Sequence, residues 1–370
     1  MNISYCGFTD AHTGMSEAAR NIISAFIEAK VDVTVEKVPN LVSPDDLGSP
    51  HKLVIERLGK KLEFKIKMIH TTPDLVFKHL DPMKYHIFHL FWETDKLPDW
   101  WVWALNHGVD EIWTGDYYHA KVITDSGVTK PVWVCPQPIK IPDKQYKKYS
   151  FRKPKKFYFY SIFQWIERKN PRGLLSAYWK EFEGNKDVCL LIKTFKENFT
   201  LQETEEIIRD IIMWKKELNL SHYPSIYLVT DSRSYEQIRR IHETGDCFVS
   251  AHRGEGWGIP IAEAMAQGKP VISTGLGGIH EWIPKDCAYL IEYKLINVFN
   301  MDFVPWYDTK QHWAEVNEDD LRLAMRTVYE DKEKAKLVGE KGKRFVEREL
   351  SYISVGTRMK KRLEEIEEKL

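Results

Sequence analysis

The stretch SAHRGEGWGIPIAEAMAQGKPVISTGLGGIHE, Ser250 to Glu281, decides the fold of this 370-residue chain. It opens where a short apolar run, Asp246 to Ala251, ends, and such a run bounded by glycines reads as a buried strand. Gly254, Gly256 and Gly258 follow, a loop whose backbone can approach a ligand without a Cβ in the way. Pro260 then stands at a first helical position, the helix runs through Ala264 to Gln267, and Gly268 supplies its stop. Lys269 to Thr274 is the next strand and ends in a second glycine turn, Gly275 to Gly278. Strand, glycine turn, helix and strand make a βα unit of a parallel sheet, with a helix N-terminus at the carboxyl end of a strand. That terminus offers unpaired N–H groups and partial positive charge.

Outward from this segment the alternation of short apolar runs and helical patterns occurs twice. In the second half, Lys156 to Ser161, Val188 to Lys193, Ser225 to Thr230 and Ala288 to Glu292 join the two strands above. In the first half, Asn2 to Gly7, Val31 to Val38, Tyr85 to Phe91 and Glu111 to Thr114 read as strands, with helices over Ser16 to Ala29 and Trp100 to Asn106. The halves join near Pro136 to Lys155, where prolines and a basic run replace apolar periodicity. The expected domains are residues 1–145, residues 146–350 and a charged terminal helix, 351–370. That last helix either lies back across the first lobe or stands solvated.

Composition narrows the class without naming a partner. Lys plus Arg and Asp plus Glu both number 54, so no net field selects polyanions, and 43% hydrophobic residues suit a folded chain. Five cysteines without CxxC spacing argue against a disulfide framework and a zinc site and for a reducing, cytoplasmic setting. No apolar run reaches the length of a membrane span, which leaves peripheral membrane contact open. GxGxxG is absent, which lowers a nicotinamide-dependent reading.

Two carboxylates flank the helix start: Glu255 in the glycine loop and Glu263 one turn inside the helix. Each can take charge-assisted hydrogen bonds from hydroxyl pairs of one ligand. The spacing of Glu255 and Glu263 within EGWGIPIAEAMAQGKPVI, followed by Gly277, Gly278 and Glu281, resembles glycosyltransferase family four. The resemblance implies an α/β GT-B fold of two Rossmann-like lobes facing a central cleft, and transfer with retention of configuration without an obligatory metal. It implies that the second lobe binds a nucleoside-diphosphate sugar, with Glu255 on the sugar hydroxyls and Glu263 on the ribose. The backbone of Gly256, Trp257, Gly258 and Ile259 completes the donor contacts. QWIERKNPRGLL, from Gln164, resembles the family segment whose lysine meets the diphosphate; that role falls to Lys169, with Arg168 and Lys193 assisting. Phe163 and Gln164 depart from the family pattern, standing where many members have arginine.

The first half carries weaker signals. The turn at Gly14, before a helix that Ser16 is placed to cap, resembles the family's N-terminal glycine turn, whose amide faces the diphosphate. HLFWETDKLPDWWVWALNHGVDEIW resembles a stretch lining the acceptor cleft in some members and makes His89, Trp92 and Glu93 acceptor candidates. His89 and His70 read equally as core histidines, and Trp100, Trp101 and Trp103 as packing between helix and sheet. HKLVIERLGKKLEFKIK, His51 to Lys67, is a basic stretch facing solvent, a lipid phosphate or nucleic acid.

The expected reaction moves a sugar to an acceptor hydroxyl on a saccharide or lipid-linked carrier. UDP-glucose is the first donor by frequency in the family and GDP-mannose the second, with no tightly bound cofactor. Transfer to modified bases of DNA keeps the chemistry and changes the acceptor. A GT-B epimerase or phosphorylase and a catalytically silent sugar-nucleotide binding module are the readings of another class.

Overall fold

Strands buried on both faces and rich in Val, Ile, Phe and Tyr pair in parallel, with crossover helices covering them. The computed structural model describes residues 1–38 and 48–370 and divides into two compact units. The first holds residues 1–141, 304–311 and 346–370; the second holds 142–303 and 312–345.

In the first unit the order is β1 (Asn2–Gly7), α1 (Gly14–Glu28), β2 (Asp32–Lys37), α2 (Gly48–Ile55), β3 (Ile66–His70), β4 (Tyr85–His89), α3 (Asp99–Gly108), β5 (Glu111–Thr114), α4 (Tyr117–Asp125) and β6 (Val132–Val134). The sheet runs β2-β1-β3-β4-β5-β6, all parallel. In the second unit come β7 (Phe157–Gln164), a 3-10 turn Glu167–Lys169, α5 (Pro171–Glu181), β8 (Val188–Phe195), α6 (Leu201–Leu218), β9 (Ser225–Val229), α7 (Tyr235–Thr244), β10 (Cys247–Ser250), α8 (Ile259–Ala266), β11 (Val271–Thr274), α9 (Gly278–Trp282), β12 (Tyr289–Ile291) and a hairpin of β13 (Tyr293–Asn297) and β14 (His312–Val316). α10 (Glu318–Glu330), α11 (Lys332–Glu349) and α12 (Tyr352–Glu367) complete the chain. The second sheet runs β12-β11-β10-β7-β8-β9, again all parallel. This is the doubly wound order whose direction reverses between β7 and β10, the switch point where such sheets bind ligands.

The α/β reading holds, and each strand expected from sequence coincides with an observed one to within a few residues. Three features escaped the pattern. β3 begins at Ile66, inside the basic stretch, because Lys67 points inward to pair with Glu36. β6 is only three residues long. The hairpin β13–β14 brackets residues 298–311, of which 304–311 count with the first unit, where Tyr307 stacks on Trp92 at 5.4 Å. Of the three tryptophans expected to pack α3, only Trp101 is buried; Trp100 and Trp103 are exposed because α3 turns a single stripe to the sheet. α12 lies on α1 within the first unit, burying Val355, Met359, Leu363 and Ile366. Among the described residues no helix is long and apolar enough to cross a membrane.

Candidate active site

The switch point of the second sheet is built from two loops. β7 delivers the turn Glu167–Lys169 and β10 delivers residues 251–258. Their backbones are tied together: the Arg253 and Gly254 amides both donate to the Arg168 carbonyl, at 2.8 and 3.3 Å, and Arg168 Nη1 donates to the Gly254 carbonyl at 2.9 Å. Arg168 is thus a strap between the loops. Its neighbour Lys169 donates from Nζ to Glu255 Oε2 at 2.5 Å, which brings together two residues 86 apart in sequence. Burial alone would raise the Glu255 carboxyl, but the Lys169 ammonium, with His252 and Arg168, brings it down to about 2. Glu255 is held as an anion beside two cations, which can accept from sugar hydroxyls while the cations meet a diphosphate.

His252 lies in the same loop, 1% exposed, with Nδ1 3.0 Å from Ser250 Oγ and Nε2 without a partner. Burial lowers it to about 4, so it is neutral near pH 7. The sequence reading passed over it, although it stands three residues before Glu255.

α8 opens behind the loop. Gly258 takes φ +81°, and a Cβ there would lie 2.9 Å from both Ile261 Cδ1 and Ile279 Cδ1, so this turn requires glycine twice over. Ile259 begins the helix with its side chain buried. Trp257 stacks on Trp282 at 4.7 Å and packs inward, so its ring is closed to a ligand. Glu263 is buried, with one oxygen on Arg239 and the other 3.3 Å from His242 Nε2. Burial opposes its ionisation, but Arg239 and His242 more than compensate and hold the carboxyl below its usual value. Arg239 and His242 were also missed: they sit three apart on α7, and nothing in their spacing connects that helix to α8. Lys193, expected at the phosphate rim, is 5% exposed, with Nζ over the Phe195 and Phe199 rings and 3.4 Å from the Thr194 carbonyl. Burial lowers it to about 8.

In the first unit Gly14 opens α1 in free space, and Thr13, rather than Ser16, caps it by accepting from the Ser16 amide. The loop before it is fixed by Arg20, whose Nη1 donates to the Thr9 and Ala11 carbonyls at 2.8 and 3.0 Å. His70 and His89 end β3 and β4 with ring centres 4.5 Å apart, and His70 Nδ1 is 2.6 Å from Tyr5 Oη. His89 keeps Nδ1 without a partner. Burial lowers both histidines, His70 to about 4, so each ring is neutral. Trp92 differs from expectation: it is 2% exposed, donates from Nε1 to the Lys96 carbonyl at 2.7 Å, and has Trp101 and Tyr307 against its ring. No face remains for stacking on a sugar. Glu93 is half-buried and accepts from Tyr307 Oη at 3.2 Å. The basic stretch is partly neutralised, with Lys60 paired to Asp32 and Lys67 to Glu36.

Residues 177–297 match a family model described as glycosyl transferases group 1. No curated protein matches the chain. Among solved structures, a sucrose-phosphate synthase from Thermosynechococcus elongatus superimposes with a TM-score of 0.71 at 14% identity, covering 100% of both chains. Anabaena HepE in complex with UDP and glucose gives 0.68 at 11% identity, over 99% of this chain and 100% of that one. A glycosyltransferase from Rickettsia africae gives 0.64 at 12% identity, over 98% and 97%. The chain has the GT-B fold. Within it, Glu255, Glu263 and the whole of α8 fall inside the matched segment, whereas Lys169 lies just before it. The matched segment speaks for a glycosyltransferase.

Proposed function

We propose that this chain is a retaining glycosyltransferase of the family-four type, moving a hexose from a nucleoside-diphosphate sugar to an acceptor hydroxyl. The observation that carries the reading is the Lys169–Glu255 pair at the switch point of a doubly wound sheet, beside the start of α8. Glu255 accepts from the sugar hydroxyls, and the amides of Gly256 to Ile259 receive the sugar. Lys169 and Arg168 stabilise the charge that grows on the diphosphate as the bond from the anomeric carbon to the phosphate oxygen breaks. The acceptor oxygen bonds to that carbon on the same face, and its proton passes to the departing phosphate oxygen. Orientation and charge stabilisation then carry the rate.

Glu263 takes the ribose by exchanging its 3.3 Å contact with His242 while keeping Arg239. Lys193 serves from beneath, since its ammonium rests on aromatic faces. In the first unit, Gly14 meets the diphosphate, and His89 and Glu93 contribute to a saccharide or lipid-linked acceptor. UDP-glucose is the proposed donor, supported by a fold shared with proteins whose structures hold UDP and UDP-glucose. Cytoplasmic location is part of the same proposal.

A thermal-shift panel of UDP- and GDP-sugars, followed by proton NMR of the product anomer, tests this. UDP-glucose is expected to stabilise the wild type, Glu255→Gln to lose turnover by about a hundredfold or more, and the product to keep the donor's anomeric configuration. An inverted product would remove the retaining assignment, and turnover surviving in Glu255→Gln would remove the role given to that residue. An epimerase would return an altered sugar nucleotide, and a silent module would stabilise without turnover.

A further inference from the structure

A cavity of about 770 Å³ opens in the second unit beside the turn Glu167–Lys169. Glu167 from that turn, Asn170 just after it and Arg253 from the neighbouring loop form part of its wall, whereas Lys169 and Glu255 do not. It is therefore a different space from the donor site, and its size suits a ligand of two or three sugar rings.

Its chemistry is specific. Trp214 and Phe299 supply flat apolar surface, and Trp214 is fixed in plane by stacking on Trp165 at 5.6 Å and 15°. The polar part consists largely of ion pairs: Arg172 with Glu217 at 2.8 Å, Lys180 with Glu318 at 2.7 Å, and Arg253 with Glu167 and Glu315 at 2.7 and 2.8 Å. Paired groups resist neutralising a charged ligand but set donors and acceptors side by side. The lining carries five carboxylates against three cations, which disfavours phosphates and other anions. Alternating donors and acceptors around aromatic planes match the hydroxyl edges and C–H faces of a sugar.

We propose that this cavity binds a neutral saccharide at a site separate from the donor. The binding claim goes beyond the donor reading and does not depend on it.

Isothermal titration of the full chain with maltotriose and with cellotriose, in the absence of nucleotide, tests the site. Wild type is expected to bind at least one of them, Trp214→Ala to bind it about tenfold more weakly, and Glu255→Gln to bind it as wild type does. Arg172, whose side chain is 62% exposed, gives a variant that folds regardless, and Arg172→Ala is expected to weaken binding as well. Binding lost in Glu255→Gln but kept in Arg172→Ala and Trp214→Ala would place the sugar in the donor site and overturn the proposal, as would no binding of either trisaccharide by the wild type. A failed UDP-glucose assay would leave these outcomes unchanged.

Discussion

Lys169 and Glu255 have side chains only 13% and 15% exposed, so each depends on the other for the compensation of a nearly buried charge. Lys169→Met is expected to cost about 3 kcal/mol of stability by leaving the carboxylate unpaired, and the double variant Lys169→Met/Glu255→Gln to recover part of that loss in urea unfolding. A double variant no more stable than Lys169→Met would show that the pair is uncoupled. The buried histidines set an acid limit. His70 and His252 sit at about 4, against 6.5 when exposed, so between those values the unfolded chain binds protons that the folded chain does not. Stability therefore falls as pH drops from 6.5 toward 4, by up to about 1.4 kcal/mol per pH unit for each histidine. His70→Gln should flatten that slope in urea midpoints measured across the window; an unchanged slope would mean His70 titrates normally.

At the scale of elements, two glycines hold pieces together in different ways. Gly258 combines positive φ with a crowded Cβ position at the start of α8. Gly258→Ala is expected to lower stability by about 2 kcal/mol and to weaken donor binding, read as a lost nucleotide-induced thermal shift. Gly356 works by close approach: a Cβ there would lie 2.2 Å from the Ala25 carbonyl oxygen, where α12 crosses α1. Gly356→Ala should cost about 1–3 kcal/mol while leaving nucleotide binding intact, because no residue proposed for the donor lies on either helix beyond Gly14. Loss of nucleotide binding in this variant would contradict that separation. These elements were largely legible beforehand. Pro260 and Gly268 marked both ends of α8, and the alternation of apolar runs located the long strands. β6, at three residues, and β3, masked by Lys67, gave no such pattern, since an inward-facing lysine reads as surface until its Glu36 partner is seen.

For the whole molecule, the C-terminal segment is structural. α12 buries an apolar face in the first unit, Tyr352 Oη donates to Asn21 Oδ1 at 2.5 Å, and Arg362 grips buried Glu111 with two bonds, at 3.0 and 2.7 Å. Deleting residues 351–370 should unfold the first unit selectively, seen as lost hydrogen-exchange protection in β1 to β5 with protection kept in β7 to β12. Uniform loss across both units would mean that they do not unfold independently.

By itself the sequence determined the βα alternation, the two sheets and the positions of Glu255, Glu263 and Lys169, because strand burial, helix capping and glycine turns are local and leave local patterns. Only the tertiary structure decided that Lys169 meets Glu255, that Arg239 and His242 hold Glu263, that Trp92 and Trp257 pack inward, and that a cavity borders the turn carrying Lys169. Those contacts join residues tens of positions apart, and no periodicity along a chain encodes which side chains a folded sheet will set face to face.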